Sequence, residues 1–553
     1  MLKENSRKRQ FSIVNFFNGI RCYSALFIGL IAAAAYLAIS SVNLTAQGLY
    51  YDELFQVPAS FAYKKIIPQM FFALSFHGIP LLNTPYVGAI KSGFYGLYLQ
   101  FSDSCFSIVS WRLLGILFVS MGIFFFCVLT NRRLSLKGLF LFLLLFMTDT
   151  TIILATRYDW GPVALALTFR MLFISLWIYG EQENKPPLIS NTFFLGVLVG
   201  ISVYEKLSSA ILILPLILIL VLSKNRRSFR HCFVCLGGMF VGAIPLIAAN
   251  LISFHRNGCL ISFIFPSHTI RYDQISFLGF MKFALKYLSL GNSASIKAWV
   301  LSTNTADNHL EVYLMGVLFL LIMILSGVYG KRSKFFRMSL LMLLCYGIIG
   351  TAIYLAPMPT WVHHWIIGTP FQYMAISLAF VGLYVSQPTI NLNMRLWRII
   401  FNFLIITLLA FRLLGLVSLE KSFIKGAASR YWDFSLTKIG YFAVKHSEEA
   451  VFIAANWGVA TQIYCLSNGK PNFVYEPFLQ YGGLEHIRRI IKESGKNTLY
   501  LVINKTANLK HDVTLRIIRD IETLPNWKEV PVENSIKELT TVEIRKFSYI
   551  SVR

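Results

Sequence analysis

YYDELFQVPASFAY, residues 50–63, follows the first long apolar segment of the chain. It holds an acidic pair, Asp52 and Glu53, where a first membrane-spanning helix would emerge. Ionisable groups at membrane depth are costly to keep, so such a pair points to function. Asp is also a favoured N-cap. Asp52 therefore equally reads as the start of an amphipathic helix, Glu53 to Lys64, lying on the membrane. The two readings are compatible.

Outward from this stretch, the composition makes the bilayer the solvent. Of 553 residues, 56% are hydrophobic and 14% charged, and the mean hydropathy is +0.60. A soluble chain is nearer a quarter charged. Several runs reach the roughly 20 apolar residues that cross a bilayer. Window hydropathy places about eleven spans, at 23–41, 111–129, 138–155, 162–179, 191–204, 208–223, 232–254, 311–329, 338–355, 366–385 and 398–417. The chain is thus expected to be a polytopic α-helical membrane protein. Its expected parts are a basic tail (1–22), a transmembrane domain (23–420) with an outer loop (42–110), and a soluble domain (421–553). Lys3, Arg7, Lys8 and Arg9 ahead of the apolar run Tyr23–Ile39 suit an uncleaved signal anchor.

The net charge of +25 would suggest nucleic acid in a soluble protein. Here the cations gather in alternate short loops: Arg132, Arg133 and Lys137; Lys185; Lys224, Arg226, Arg227 and Arg230; Lys331, Arg332, Lys334 and Arg337; Arg395 and Arg398. The positive-inside rule accounts for them, and no nucleic-acid partner is expected. It places the N-terminus in the cytoplasm. Loops 42–110, 255–310 and 356–365, with the C-terminal region, then lie outside it.

The outer loop keeps structure of its own. PASFAYKKIIPQMFFALSF (58–76) has apolar residues at helical spacing and reads as an interfacial helix. Spans five and six are short, with Glu205 and Lys206 at their turn. They read either as a hairpin reaching partway outward, its turn in a wet cavity, or as a tight hairpin with a surface ion pair. In the C-terminal region, AVFIAA (450–455), TLYLVI (498–503) and VEIRKFSYI (542–550) are strand-like, and GGLEHIRRIIKES (482–494) is helical. A small α/β domain follows from that alternation.

Cys232 and Cys235 form a C-x-x-C at the start of an apolar helix, where packing is the better reading than zinc or redox chemistry. Cys105, Cys259 and Cys465 fall on the outer side, with any pairing open. Unusual polar residues gather on that same side: Asp52, Glu53, His77, Lys91, Asp103, Arg157, Asp159, Trp160, Glu205, Lys206, His255, His268, His363 and His364. Acids, bases and aromatics on one face are what an active site there requires. TRYDWGP (156–162) joins two spans, and its Asp, Gly and Pro are also ordinary turn residues. Asp149 lies deeper in the membrane and needs a partner. Lys91 is a candidate phosphate binder, although a Lys near an interface also snorkels. His363 and His364 are candidates for a metal or a phosphate. No phosphate-cradling glycine loop, G-x-S-x-G or H-E-x-x-H is present, so a nucleotide donor or ATP-driven transport is not supported.

Taken in order, these motifs resemble the GT-C superfamily of polytopic glycosyltransferases, in the group of protein O-mannosyltransferases and the aminoarabinose transferase acting on lipid A (glycosyltransferase family 39-like). The motifs are Tyr51-Asp52-Glu53, YVGAIK (86–91), the WRLLG entry into the second span after Ser110, TRYDWGP, the Glu205-Lys206 hairpin and HHWIIGTPF (363–371). The likeness is best over about 20–220 and does not reach the C-terminal domain. It implies inverting transfer of a sugar from a polyprenyl-phosphate donor to an envelope glycolipid, glycan or protein. By that resemblance Asp52 is the general base, Lys91 a contact to the donor phosphate and Asp159 the second acidic position; Glu53, next to Asp52, is a further catalytic candidate. The negative charge growing on the leaving phosphate makes Arg157 and Lys206, with Lys91, candidates to stabilise it, and Tyr51, Trp160, His363 and His364 are candidates for contacts to substrate or metal. A divalent metal is possible, and a bacterial inner membrane is expected, with endoplasmic reticulum as the alternative. A transporter or flippase for lipid-linked sugars, another envelope polymerase or ligase, and a non-catalytic assembly subunit are the competing readings. Visible repeats and midplane charges, expected of a transporter, are not seen.

Overall fold

The first apolar segment folds as helix α1, Ser24–Ser40. The computed structural model describes residues 24–64, 74–131, 133–181, 188–222, 229–263, 276–292, 295–302, 309–355, 362–385, 392–507, 511–533, 536 and 539–550. The basic tail, Lys65, Arg132, Lys185, Lys224, Arg226, Arg227 and His268 lie outside the described residues, as does most of the 356–365 loop.

The outer loop does not carry the helix expected from Glu53 to Lys64. A one-turn helix α2, Tyr51–Leu54, begins after an extended Tyr50 with no side-chain cap. A buried 3-10 helix, Val57–Lys64, follows. Pro58 has no N–H to donate to an α-helical ladder. Asp52 is therefore not an N-cap, and its carboxylate is available elsewhere. Nor is 58–76 one helix, because its end forms strand β1, Leu74–Phe76, paired antiparallel with β2, Ile79–Thr84, which pairs with β3, Val87–Gly88. The loop closes with α3, Ile90–Phe101. One face of α3 is exposed and apolar (Phe94, Leu97, Tyr98, Phe101) while Lys91 and Tyr95 are buried. The interfacial face thus lies on α3.

The membrane region follows as α4 (Ile108–Thr130), α5 (Leu136–Met147), α6 (Thr150–Tyr158), α7 (Val163–Gly180), α8 (Ile189–Glu205), α9 (Ile213–Leu222), α10 (Phe229–Gly242), α11 (Ile244–Asn257), α12 (Phe277–Asn292), α13 (Ser295–Leu301), α14 (His309–Tyr329), α15 (Lys334–Leu355), α16 (Thr369–Val385) and α17 (Leu392–Ile424). Helix covers most of the described residues in each expected span, but fewer than eleven pass as membrane-crossing by length and apolarity. Among the described residues, six helices are long and apolar enough to cross a membrane, or eight if each bent pair is one span. The expected spans 138–155 and 232–254 are broken: α5 and α6 meet at 62°, α10 and α11 at 57°. α7 and α16 are buried almost throughout. α4, α10, α14 and α17 turn Phe125, Phe240, Leu320 and Phe403 outward, as a lipid-facing surface requires.

Past α17 the chain forms α18 (Ser435–Lys445), β4 (Ala450–Ala454), α19 (Ala460–Leu466), β5 (Val474–Tyr475), α20 (Leu484–Ser494), β6 (Thr498–Asn504), α21 (His511–Glu522), β7 (Trp527–Val530) and β8 (Val542–Tyr549). The sheet order is β5-β4-β6-β8-β7, parallel through β4 and antiparallel at β8 and β7. The expected strands and helix stand within a few residues of their sequence positions. One face of this sheet shares a core with the outer loop: Leu54, Val57, Phe61 and Trp111 pack with Phe452, Ile463 and Val502. The α/β domain and the 42–110 loop therefore lie on the same side of the membrane region.

Candidate active site

Asp52 lies where α2 meets the TRYDWGP turn. Its Oδ2 accepts a hydrogen bond from Trp160 Nε1 at 3.0 Å, and the Tyr50 side chain is a second partner. Its surface is partly exposed although protein surrounds it in depth, so it sits in a recess. Burial pushes its pKa above the usual aspartate value. The hydrogen bonds from Trp160 and Tyr50 and the nearby Lys206 cation pull the other way.

Glu53 points elsewhere. It is fully buried and grips Arg112 with both oxygens, at 2.6 and 2.9 Å. Arg112 also donates to the carbonyls of Leu44, Gln47 and Gly48. The expected catalytic companion is thus half of a clamp that fixes the start of the outer loop. A bidentate Arg–carboxylate pair suits that task because its two parallel bonds set direction.

Asp159 takes a left-handed conformation at the end of α6. Its Oδ1 accepts from the Ala164 N–H and its Oδ2 from Lys91 Nζ, both at 2.8 Å. Lys91 stands 3.8 Å from the Trp111 ring centroid. Lys206 reaches the Gly161 carbonyl at 2.6 Å, and Glu205 accepts from the Ile90 N–H at 3.3 Å. Glu205 and Lys206 thus do not form the surface pair of the tight-hairpin reading. Their turn is buried against the outer loop, where Leu207 N–H donates to the Tyr86 carbonyl. Lys91, Asp159, Lys206 and Trp160 gather around one turn, with Asp52 against Trp160. His363 lies 5.1 Å from the Trp160 ring and 4.1 Å from His364.

Arg157 does not join them. Its guanidinium donates to the Ser40, Val42 and Asn43 carbonyls at the end of α1 and to Gln47 Oε1. A cation there complements the C-terminal end of a helix. Its assignment to a donor phosphate is corrected on that ground. Asp149 is also structural. It caps α6 through the Thr151 and Ile152 N–H groups and accepts from the Tyr373 hydroxyl. Arg412 joins Tyr373 to Glu311, each at 2.7 Å.

Aromatic walls that the sequence reading missed complete the recess. Tyr50 lies 4.6 Å from Trp432 and Tyr51 4.3 Å from Trp457. Trp299 stacks on Tyr431 at 4.7 Å. Trp432 and Tyr431 come from the link between α17 and α18, and Trp457 from the loop after β4. Among the described residues no group of three or more His, Cys, Asp or Glu converges to hold a metal ion.

A membrane-embedded helical body, a docked α/β domain and a recess around Asp52 where they meet define the class: a polytopic integral membrane protein. No family model and no curated protein matches the chain. Its architecture is similar to that of ArnT from Cupriavidus metallidurans. In the structure bound to undecaprenyl phosphate, the match covers 94% of this chain and 98% of that one, with a TM-score of 0.56 and 12% identity. In the apo state it covers 93% and 97%, with a TM-score of 0.59 and 10% identity. At such identity the likeness establishes the fold.

Proposed function

We propose that the protein is a membrane glycosyltransferase that moves a sugar from a polyprenyl-phosphate donor to an envelope glycolipid, glycan or protein, with Asp52 as general base. The observation that carries this reading is the Asp52 carboxylate in a recess, held by Trp160 and Tyr50 near Lys206. An acceptor hydroxyl is a poor nucleophile until a positioned base takes its proton. As the acceptor oxygen bonds to the anomeric carbon, the proton passes to Asp52. The bond to the phosphate oxygen breaks, and the leaving phosphate keeps the electron pair. Lys91 and Lys206, which gather with Asp159 around one turn, are the groups this reading assigns to offset its growing charge. The aromatic walls exclude water and so limit hydrolysis. ArnT, which shares the fold, holds undecaprenyl phosphate. This supports a lipid-borne donor that arrives through the bilayer, and a bacterial inner membrane as the location.

The test compares envelope lipids from wild-type cells, a deletion strain and the deletion complemented with Asp52→Asn, by mass spectrometry. Loss of one sugar from an acceptor, with build-up of its lipid-linked donor, is expected in both defective strains. Complementation by an inserted Asp52→Asn protein refutes Asp52 as base.

A further inference from the structure

Buried cations of the membrane body have clear partners in four cases. Arg112 meets Glu53, Arg412 meets Glu311, Lys91 meets Asp159, and Arg157 meets backbone carbonyls. Arg170, in α7, differs. It is 2% exposed, and no Asp or Glu pairs with it among the described residues. Its Nη2 donates to Ser209 Oγ at 3.4 Å, which is long for such a bond. Its Nε finds no acceptor. A guanidinium carries five N–H donors and keeps its charge. Buried without a counter-charge, such a group is costly to hold and points to function.

Its place is under the TRYDWGP turn. Arg170 lies about 10 Å along α7 from Val163. Long side chains on a helix lean toward its N-terminus, here toward the turn. The contact with Ser209, three residues after Lys206, agrees with that direction. Of the charged groups acting on Lys206, Arg170 is the strongest, ahead of Asp159 and Asp52. The Lys206 amine donates to the Gly161 carbonyl. Gly161 keeps its flank clear, since a Cβ there would lie 3.1 Å from Lys206 Nζ and 2.9 Å from His363 Nε2. Lys91 is enclosed by contrast: it is 0% exposed against 6% for Lys206, with Asp159 at 2.8 Å and the Trp111 ring centroid at 3.8 Å. Asp159 is thereby already neutralised. Lys206 and Arg170 then face the carboxylate of Asp52 with two positive charges. The two also repel each other, a cost that an anion between them relieves.

We infer that Arg170 is the floor of the donor-phosphate site and Lys206 its rim, so that the phosphate oxygens lie between the two. The inference rests on the transferase reading for the donor, and on the unpaired guanidinium for the place. A phosphodiester brings one negative charge, and the leaving phosphate gains a second. The guanidinium fork can meet two phosphate oxygens at once.

The test uses the full chain in lipid nanodiscs and radiolabelled farnesyl phosphate, counted after subtraction of empty discs. Unlabelled farnesol and inorganic phosphate serve as competitors. Wild type should bind the probe, and Asp52→Asn at least as tightly. Arg170→Met should weaken binding tenfold or more, and Arg170→Lys, which keeps the charge, should recover it to within a few-fold. Farnesol should not compete, and inorganic phosphate should compete at least tenfold less well than unlabelled farnesyl phosphate. The unfolding midpoint of unliganded Arg170→Met should equal or exceed that of wild type, because an apolar side chain replaces an unpaired buried charge. A guanidinium kept for structure would lower it instead. If wild type binds no probe, or if Arg170→Met binds like wild type, the inference falls. It falls too if Arg170→Met unfolds earlier and Arg170→Lys does not recover binding. Equal competition by inorganic phosphate assigns the site to the free ion, and equal competition by farnesol assigns it to the chain alone; either overturns the donor-phosphate role. An active Asp52→Asn enzyme would sink the base assignment while leaving this binding result standing, so the two failures are distinguishable.

Discussion

At the scale of single residues, two neighbouring acids have opposite duties because their surroundings differ. Asp52 faces an indole N–H and open space; Glu53 faces a guanidinium and none. Asp52→Asn is expected to lower kcat by about 10²–10⁴-fold, the usual worth of general base catalysis, with folding intact. The base must be ionised to act, so activity falls as pH drops through its pKa. Burial raises that pKa, and the acid limb should lie above the ordinary aspartate range. Trp160→Phe removes a hydrogen bond that favours the ionised form, so the limb should move to still higher pH. A limb unmoved in Trp160→Phe would detach it from Asp52. Arg112→Met acts on stability instead. It leaves Glu53 ionised and unpaired in the interior, a loss of roughly 3–5 kcal/mol, read as a fall in the unfolding midpoint of the solubilised protein.

At the scale of elements, close helix approach depends on what is missing from a surface. α8 carries Gly196 and Gly200, and α10 carries Gly238 and Gly242. A Cβ at any of the four would collide with backbone of the facing helix. This is the small-x-x-x-small device by which membrane helices pack. Gly238→Leu should cost about 1–3 kcal/mol by overpacking and lower the yield of folded protein. Gly237→Leu, whose Cβ would meet nothing within 4 Å, should not. Equal effects would show that the contact is not the cause. The α5–α6 bend has a different origin. There Asp149 starts α6 with its own carboxylate, so the expected straight span becomes two helices, tied through Tyr373 on α16 to Arg412 on α17 and Glu311 on α14.

At the scale of the molecule, the docking of the α/β domain on the outer loop ties orientation to function. Cys105 is exposed and lies beside Asn468 of that domain. In a variant with the other cysteines replaced, a membrane-impermeant maleimide should label Cys105 in intact spheroplasts. Labelling only after lysis would put the site in the cytoplasm. The domain also carries a pH dependence. Burial pushes Glu476 up to about 8, so the folded state holds a proton that the unfolded chain releases near pH 4.5. Its contribution is unfavourable as pH rises: stability is greatest below about 4.5, falls through the window to about 8, and is constant above it. Glu476→Gln should flatten that fall, as read from unfolding midpoints at pH 5, 7 and 9.

Much of this was legible in the chain. Spans are written in runs of about twenty apolar residues, and the strands of the α/β domain in short alternating runs, because burial in lipid or in a sheet is imposed on neighbours in sequence. The Asp52, Lys91, Asp159 and Lys206 positions also stood out, since charge is rare in such a chain. The G-x-x-x-G pairs of α8 and α10 were equally visible and went unread. What only the tertiary structure decided was partnership. Glu53 and Arg157 looked like site residues until packing gave them Arg112 and the end of α1. Trp432 and Trp457 carry no local signal of a role; the folded-back domain sets them beside Tyr50 and Tyr51, some 380 and 405 positions from Asp52 in the sequence. Local pattern determines which residues leave water; which of them then meet depends on how separate elements pack, and no local run of sequence encodes that.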